Sequence, residues 1–261
     1  MDEIVCDLLV VGSGASGFAT ALTARHLGLD ILMVEKEPVF GGTTCFSAGV
    51  IWVPSSSPAR QAQIEDSDER ALCYLKQEAG NRLNETIASS YLTNAPRMLN
   101  FFTAGTHVRF DLLSTMPDYH PEASGGVGGG RSLRPRVFDG RRLGTWFEKL
   151  RPPIKTMTIF GGMMVGSADL PHLQNVTRST GIVWRRRQTQ AIAQQIGGAF
   201  DDNVHHHVAW TPVSLVPQPD GSKIGFPHFN DRAKPGFIVV DKEGRRFANE
   251  SASYHETSYR T

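Results

Sequence analysis

The turn Gly12-Ser-Gly-Ala-Ser-Gly17 constrains the fold of this chain more than any other segment. It follows the apolar run Cys6-Asp-Leu-Leu-Val-Val11 and opens an alanine-rich stretch, residues 15–27. A second apolar run, Asp30-Ile-Leu-Met-Val34, ends on Glu35, 21 positions after Gly14. Apolar runs without alternation read as strands buried on both faces, the habit of parallel sheets. Strand, glycine turn, helix, strand and acid, in that order, form a unit that can hold a dinucleotide. Gly12 permits the tight turn, Gly14 lets the backbone approach a pyrophosphate, and Gly17 lets the helix pack closely on the sheet. Ala15 and Ser16 begin a helix whose N-terminus offers N–H groups and a positive dipole end to phosphates. Glu35 would accept hydrogen bonds from a ribose and disfavour a 2′-phosphate.

Composition narrows what surrounds this unit. The 261 residues allow one large domain or two smaller ones, and 40% hydrophobic residues suffice for a core. A net charge of +1 gives no electrostatic reason to expect nucleic acid or an anionic membrane as partner. Met1-Asp-Glu3 lacks the basic start of a secretory signal. No apolar run approaches the roughly 20 residues of a transmembrane span. Cys6, Cys45 and Cys73 form no metal or redox spacing, which fits a reducing cytoplasm. His205-His-His207 projects diverging side chains without a carboxylate or cysteine at ligand spacing, so no metal is expected.

Further along, residues 41–58 are rich in Gly, Thr, Ser and Pro and read as an ordered loop. Helices are predicted over 67–79 and from Asn84 onward, a good capping residue. In the latter, Ile87, Tyr91, Ala95, Met98, Leu99 and Phe102 follow the helical period. Residues 119–140, with Ser124-Gly-Gly-Val-Gly-Gly-Gly130, read as a mobile glycine-rich loop. A short helix is expected over 141–150, stopped before Pro152-Pro153. Gly236-Phe-Ile-Val-Val240 and Arg246-Phe247, flanking Asp241-Lys-Glu-Gly244, read as a hairpin.

The segment Glu35-Lys-Glu-Pro-Val-Phe-Gly-Gly-Thr-Thr44 resembles the flavoprotein family that contains fumarate reductases and 3-ketosteroid 1-dehydrogenases. The continuation Cys45-Phe-Ser-Ala-Gly-Val-Ile-Trp-Val-Pro54 is similar to the steroid dehydrogenase branch. The resemblance implies FAD, with Lys36, Gly41, Gly42, Thr43 and Thr44 joining the dinucleotide set along the pyrophosphate and Ser47, Ala48 and Gly49 near the isoalloxazine. No histidine lies in 41–54, so FAD is expected to be non-covalent. Cys45 reads as a small buried filler.

Pro117-Asp-Tyr-His-Pro121 is similar to the stretch that carries a catalytic tyrosine in these dehydrogenases, which places that role on Tyr119. Asp231-Arg-Ala-Lys-Pro-Gly-Phe-Ile-Val-Val-Asp241 and Gly244-Arg-Arg-Phe-Ala-Asn-Glu250 match the family's substrate-domain motif, and Ser251-Ala-Ser-Tyr254 places a second tyrosine at Tyr254. The implied reaction introduces a C1–C2 double bond into a small hydrophobic substrate such as a 3-ketosteroid. The second tyrosine removes the C2 proton, a hydride passes from C1 to flavin, and the first tyrosine helps lower the pKa of the second.

The implied fold class is α/β: a Rossmann-like FAD-binding domain over 1–188, incomplete, plus the start of an α+β substrate domain over 189–261. Family members are roughly twice as long as this chain. The similarity follows their N-terminal portion up to about Arg187 and resumes well downstream from Thr189. A truncated, non-catalytic remnant with weak or no FAD binding is therefore the first alternative. A fumarate or enoate reductase-like flavoenzyme is the second, although no proton-donating arginine with cationic carboxylate clamps can be placed.

Overall fold

The two N-terminal apolar runs pair as parallel strands, although they are not buried on both faces. In a computed structural model, Leu8–Val11 (β1) and Ile31–Val34 (β2) form a parallel pair in register Leu8↔Ile31 through Val11↔Val34. The structure describes residues 4–136, 138–152, 213–217, 221–227 and 238–249. The chain divides into two compact units, Met1–Gly49 with Val137–Asp201 and Val50–Arg136 with Asp202–Thr261.

In the first unit, Ala15–His26 (α1) connects β1 to β2 and packs on both strands. Ala24 is buried and Ala19 and Ala21 are half-buried, so short side chains let the helix approach the sheet. Arg25 and His26 in the last turn complement the negative end of the helix dipole. Val10 is the buried residue of β1, whereas Leu9 is 54% exposed and Val11 and Val34 are also exposed. Parallel strands normally have both faces covered; here only part of the apolar surface is. Gly140–Lys149 forms two short 3₁₀ turns across a kink at Gly144, rather than one helix. Phe40 forms an isolated parallel bridge with Leu150, its carbonyl accepting the Arg151 amide and its amide donating to the Lys149 carbonyl.

The second unit is built on a three-stranded antiparallel sheet. Ile51–Trp52 (β3) and Phe110–Leu112 (β4) flank Ser132–Pro135 (β5) in the order β3-β5-β4. Val53, Ala95, Leu99 and Leu133 form its buried core, with Ile51, Phe110 and Leu112 packed against them. Ser57–Gln61 (α2) starts at Ser56, whose hydroxyl accepts the Ala59 amide, so 41–58 contains a strand and a helix start, not only loop. Asp68–Ala79 (α3) is capped by Ser67, whose hydroxyl accepts the Arg70 amide. Glu85–Gly105 (α4) is capped by Asn84, whose side chain accepts the Ile87 amide. Both helices begin where a short polar side chain satisfies a first-turn donor.

Two expectations are corrected in this unit. The buried stripe of α4 is Ala88, Leu92, Ala95 and Leu99, while Ile87 is 67% exposed, Met98 is exposed, and Tyr91 is partly exposed with its ring stacked on Trp52 and its hydroxyl donating to the Trp52 carbonyl. Ala95 and Leu99 of the expected set are buried as the period suggests, and packing decides which of their helical neighbours join them. The glycine-rich segment is also partly buried rather than an open loop. Val127, Gly126, Gly130 and Arg131 are buried, and β5 follows immediately. The Gly126 carbonyl accepts from Arg70 at 3.0 Å, and a Cβ at Gly126 would collide with the backbone of His120 and Pro121. At Gly125, Gly126 and Gly129 the missing Cβ permits close backbone packing.

Val213–Pro217 (β6) and Lys223–Pro227 (β7) form an antiparallel hairpin. The expected turn at Asp241–Gly244 is present, with a Val240↔Arg246 bridge and the Asp241 amide donating to Arg245. Among the described residues no helix is long and apolar enough to cross a membrane.

Candidate functional site

The glycine turn and the Gly41–Thr44 loop meet through one serine. Ser13 is buried between Gly12 and Gly14. Its amide and hydroxyl both donate to Glu35 Oε2, at 3.0 and 2.5 Å. Its hydroxyl oxygen also accepts the Gly41 amide at 2.9 Å. One side chain thereby joins the turn after β1, the acid at the end of β2 and the start of the loop. Ser13 was not singled out in the sequence. Its position inside the glycine turn was the available signal, but a serine there is ordinary until its three partners are known.

Gly12 takes φ of +93°, a left-handed conformation that other residues resist. A Cβ at Gly17 would overlap the Gly12 carbonyl oxygen, so the close helix–turn contact requires glycine. Gly14 differs. Its φ of −74° suits any residue, and a Cβ there would meet Thr44 Oγ1 only at an ordinary 3.5 Å. The chain's own packing does not demand glycine at 14, whereas a ligand lying against the backbone would. As the N-cap of α1, Gly14 brings no side chain to the first-turn N–H groups, and that turn has no acidic residue. Thr44 Oγ1 accepts the Ala15 amide at 2.9 Å, which lays the loop beside the helix start. A Cβ on Gly42 would sit 3.2 Å from Gly14 Cα, so the two glycine segments lie back to back. The residues present thus fit a pyrophosphate-bearing dinucleotide: an uncrowded backbone, helix N–H groups and a nearby carboxylate.

Burial works to raise the Glu35 pKa, but the Ser13 hydroxyl and amide, with the amides of Glu37 and Lys36, outweigh it and hold the carboxyl below its ordinary range. Glu37 N donates to Oε1 at 3.1 Å. Glu35 is therefore an oriented anion. The Lys36 ammonium lies 3.1 Å from Glu37. Ser16 and Thr43 are exposed at the helix start and the loop. Ser47 Oγ accepts the Gly49 amide at 2.8 Å, forming a small turn around the exposed Ala48. Cys45 is buried, and burial raises its thiol pKa despite the Arg151 guanidinium, so it is a packed, protonated filler.

Tyr119 belongs to the second compact unit and is 57% exposed. The preceding Asp118 is buried; its carboxylate accepts from Trp52 Nε1 at 2.7 Å, Arg131 Nη1 at 2.8 Å and the Val127 amide at 3.2 Å. Arg131 is 1% exposed and also donates Nε and Nη2 to Asp66 at 2.8 and 2.7 Å. Its guanidinium lies over the rings of Trp52 and Tyr74. Burial works to deprotonate this arginine; Asp66 and Asp118 outweigh it and keep it charged. This network was not read from the sequence, because its members are scattered between Trp52 and Arg131. Tyr254 lies outside the described residues, as do 189–212.

A family model described as FAD binding domain matches residues 7–189 and 178–260. The chain is 26% identical over 365 positions to a 4-oxocyclohex-2-ene-1-carboxylate 5-dehydrogenase of Sinomonas cyclohexanicum, covering 97% of this chain and 62% of that protein. It is 38% identical over 146 residues to a 3-oxosteroid 1-dehydrogenase of Mycobacterium tuberculosis, covering 56% of this chain and 26% of that protein. Among solved structures, a 3-ketosteroid Δ1-dehydrogenase from Sterolibacterium denitrificans in complex with 1,4-androstadiene-3,17-dione superposes with a TM-score of 0.58 at 34% identity, over 63% of this chain and 29% of that one. The chain thus spans less than two thirds of the length of each of these relatives. The 365-position alignment exceeds the 261 residues available, so more than one hundred positions of that relative have no counterpart between its aligned ends.

Proposed function

The chain belongs to the FAD-binding-domain family of flavoproteins, and on that premise we propose that it is a dehydrogenase of cyclic ketones of the 3-ketosteroid type, with FAD held non-covalently. The observation that carries the reading is the Ser13 junction, which presents the glycine turn, Glu35 and the Gly41–Thr44 loop together. Gly12, Gly14, Ala15, Ser16 and Gly17, with Gly41, Gly42, Thr43 and Thr44, hold the pyrophosphate. Glu35 and Lys36 face the ribose, and Ser47, Ala48 and Gly49 line the flavin ring. FAD, when bound, supplies the two-electron acceptor. Tyr254 removes the proton alpha to the ketone. A free tyrosine has a pKa near 10, so this base needs polarising, and Tyr119 supplies it. The FAD-binding portion occupies 1–188 and the start of a substrate domain 189–261, in a cytoplasmic protein. Relatives that act on oxosteroids and oxocyclohexenes support a small hydrophobic cyclic ketone as substrate.

The test is a spectrum of the purified protein followed by addition of a 3-ketosteroid. A yellow protein bleached by the steroid, with turnover lost and flavin retained in Tyr254→Phe, is the expected result. Full turnover in that variant would remove Tyr254 from the mechanism. A second reading, a non-catalytic remnant, is favoured by the exposed Leu9, Val11 and Val34 and by the unmatched positions in the alignment. It expects no flavin absorbance and no bleaching.

A further inference from the structure

The residues on both sides of Tyr119 are fixed, by different elements. Asp118 is held from β3 by Trp52 and from the glycine-rich segment by Val127 and Arg131. The tie to Val127 runs both ways, because the Asp118 amide donates to the Val127 carbonyl at 3.0 Å. On the other side, His120 is held from α3: its ring Nδ1 lies 2.7 Å from Glu78 Oε1, and its amide donates to the Tyr74 hydroxyl at 3.4 Å. Between these anchors the Tyr119 side chain stands outward, more than half exposed. An exposed phenol on an unsupported loop would sample many positions. Here the backbone on either side is pinned within one residue, which fixes the point from which the side chain extends.

Arg131 is the centre of this arrangement. A buried guanidinium costs much desolvation and is retained where its geometry is fully used. Arg131 uses three of its nitrogens on two carboxylates, a bidentate pair with Asp66 and one bond to Asp118. The Asp66 pair fixes the plane of the guanidinium, and that plane sets where Asp118 must lie. We propose that Arg131 is a positioning residue for Tyr119, acting through Asp118, with Asp66 orienting the arginine. The catalytic part of this inference rests on the role assigned to Tyr119 above; the positioning part rests on the contacts alone.

The experiment uses the full chain labelled with 3-fluorotyrosine and followed by fluorine NMR. The sequence holds five tyrosines, so the Tyr119 line is assigned by its loss in Tyr119→Phe. Asp118→Asn keeps the size of the side chain and an oxygen for Trp52 but removes the charge that meets Arg131. Asp66→Asn weakens the same buried arginine at the carboxylate remote in sequence from Tyr119. Arg131→Lys keeps the charge and loses the fork, and serves if Asp118→Asn does not fold. The expected result is that Asp118→Asn and Arg131→Lys move the Tyr119 line and its phenol titration midpoint, with Asp66→Asn moving them less. With a 3-ketosteroid, kcat falls by about tenfold or more in these variants while KM changes by less than about twofold. A folded Asp118→Asn or Arg131→Lys protein with an unmoved Tyr119 line and midpoint would overturn the proposal, whatever its loss of melting temperature. Should the line move while Tyr119→Phe retains full turnover, the positioning stands and the catalytic role of Tyr119 is the part that fails.

Discussion

At the scale of single residues, two glycines of one motif do different work. Gly17 answers to the protein's own packing, since a Cβ there overlaps the Gly12 carbonyl oxygen. Gly14 does not, since the protein leaves room for a Cβ there, and the proposed FAD site gives it a reason to lack one. Gly17→Ala is therefore expected to destabilise the fold by about 1–3 kcal/mol, read by urea unfolding without cofactor. Gly14→Ala is expected to leave that unfolding curve in place and to weaken FAD binding at least about tenfold, read by flavin fluorescence titration. Equal losses of stability in the two variants would contradict the division. Glu35 gives a pH dependence. Its folded pKa is depressed by the Ser13 and Glu37 donors, so its stabilising contribution is complete above its ordinary value of 4.5 and is lost as pH falls through the lower folded value. The stability difference between the wild-type protein and Glu35→Gln should accordingly be widest at neutral pH and narrow below about pH 4.5, measured by urea unfolding across that range. The glycines and Glu35 were legible in the sequence because their spacing is fixed by the turn. Ser13 was not, because its role exists only once β2 and the loop have brought Glu35 and Gly41 to it.

At the scale of elements, helix starts were legible and helix faces were not. Asn84 caps α4 as its residue type suggested, and Ser67, expected as the first residue of a helix, caps α3, because capping is satisfied within four residues of the chain. The face of α4 depends on what packs against it, and its sequence carries two neighbouring apolar stripes. Leu99, in the core with Val53 and Leu133, is expected to cost about 2–5 kcal/mol on change to alanine. Ile87→Ala on the exposed side should stay within about 0.5 kcal/mol. Denaturant midpoints of the two variants test this directly, and a larger loss at Ile87 would return the buried face to the stripe first expected. The segment 119–140 teaches the same lesson. Six glycines suggested motion, yet several serve close backbone contacts, and the burial of Arg131 draws the segment against β3 and α3.

At the scale of the whole molecule, the sheet of the first unit is only partly covered and cofactor binding has a direct thermodynamic readout. Leu9, Val11 and Val34 remain exposed on the two-stranded sheet of the first unit. A ligand that binds only the folded state stabilises it by mass action. FAD at about a hundredfold excess over its dissociation constant should raise unfolding free energy by about 2.7 kcal/mol and shift the melting temperature upward. A melting curve indifferent to FAD would favour the remnant reading. By itself the sequence determined the local parts of this protein: the strand–turn–helix–strand–acid order, the helix caps and the FAD-binding ancestry. Each is set by residues close in the chain, where spacing and backbone geometry leave few alternatives. Only the tertiary structure decided that Ser13 joins the turn to the loop, that Arg131 meets two carboxylates 65 and 13 residues away, and that both neighbours of Tyr119 are anchored. These depend on long-range contacts between short polar side chains, which have no period or fixed spacing, and which matter energetically only after the surrounding fold removes them from water.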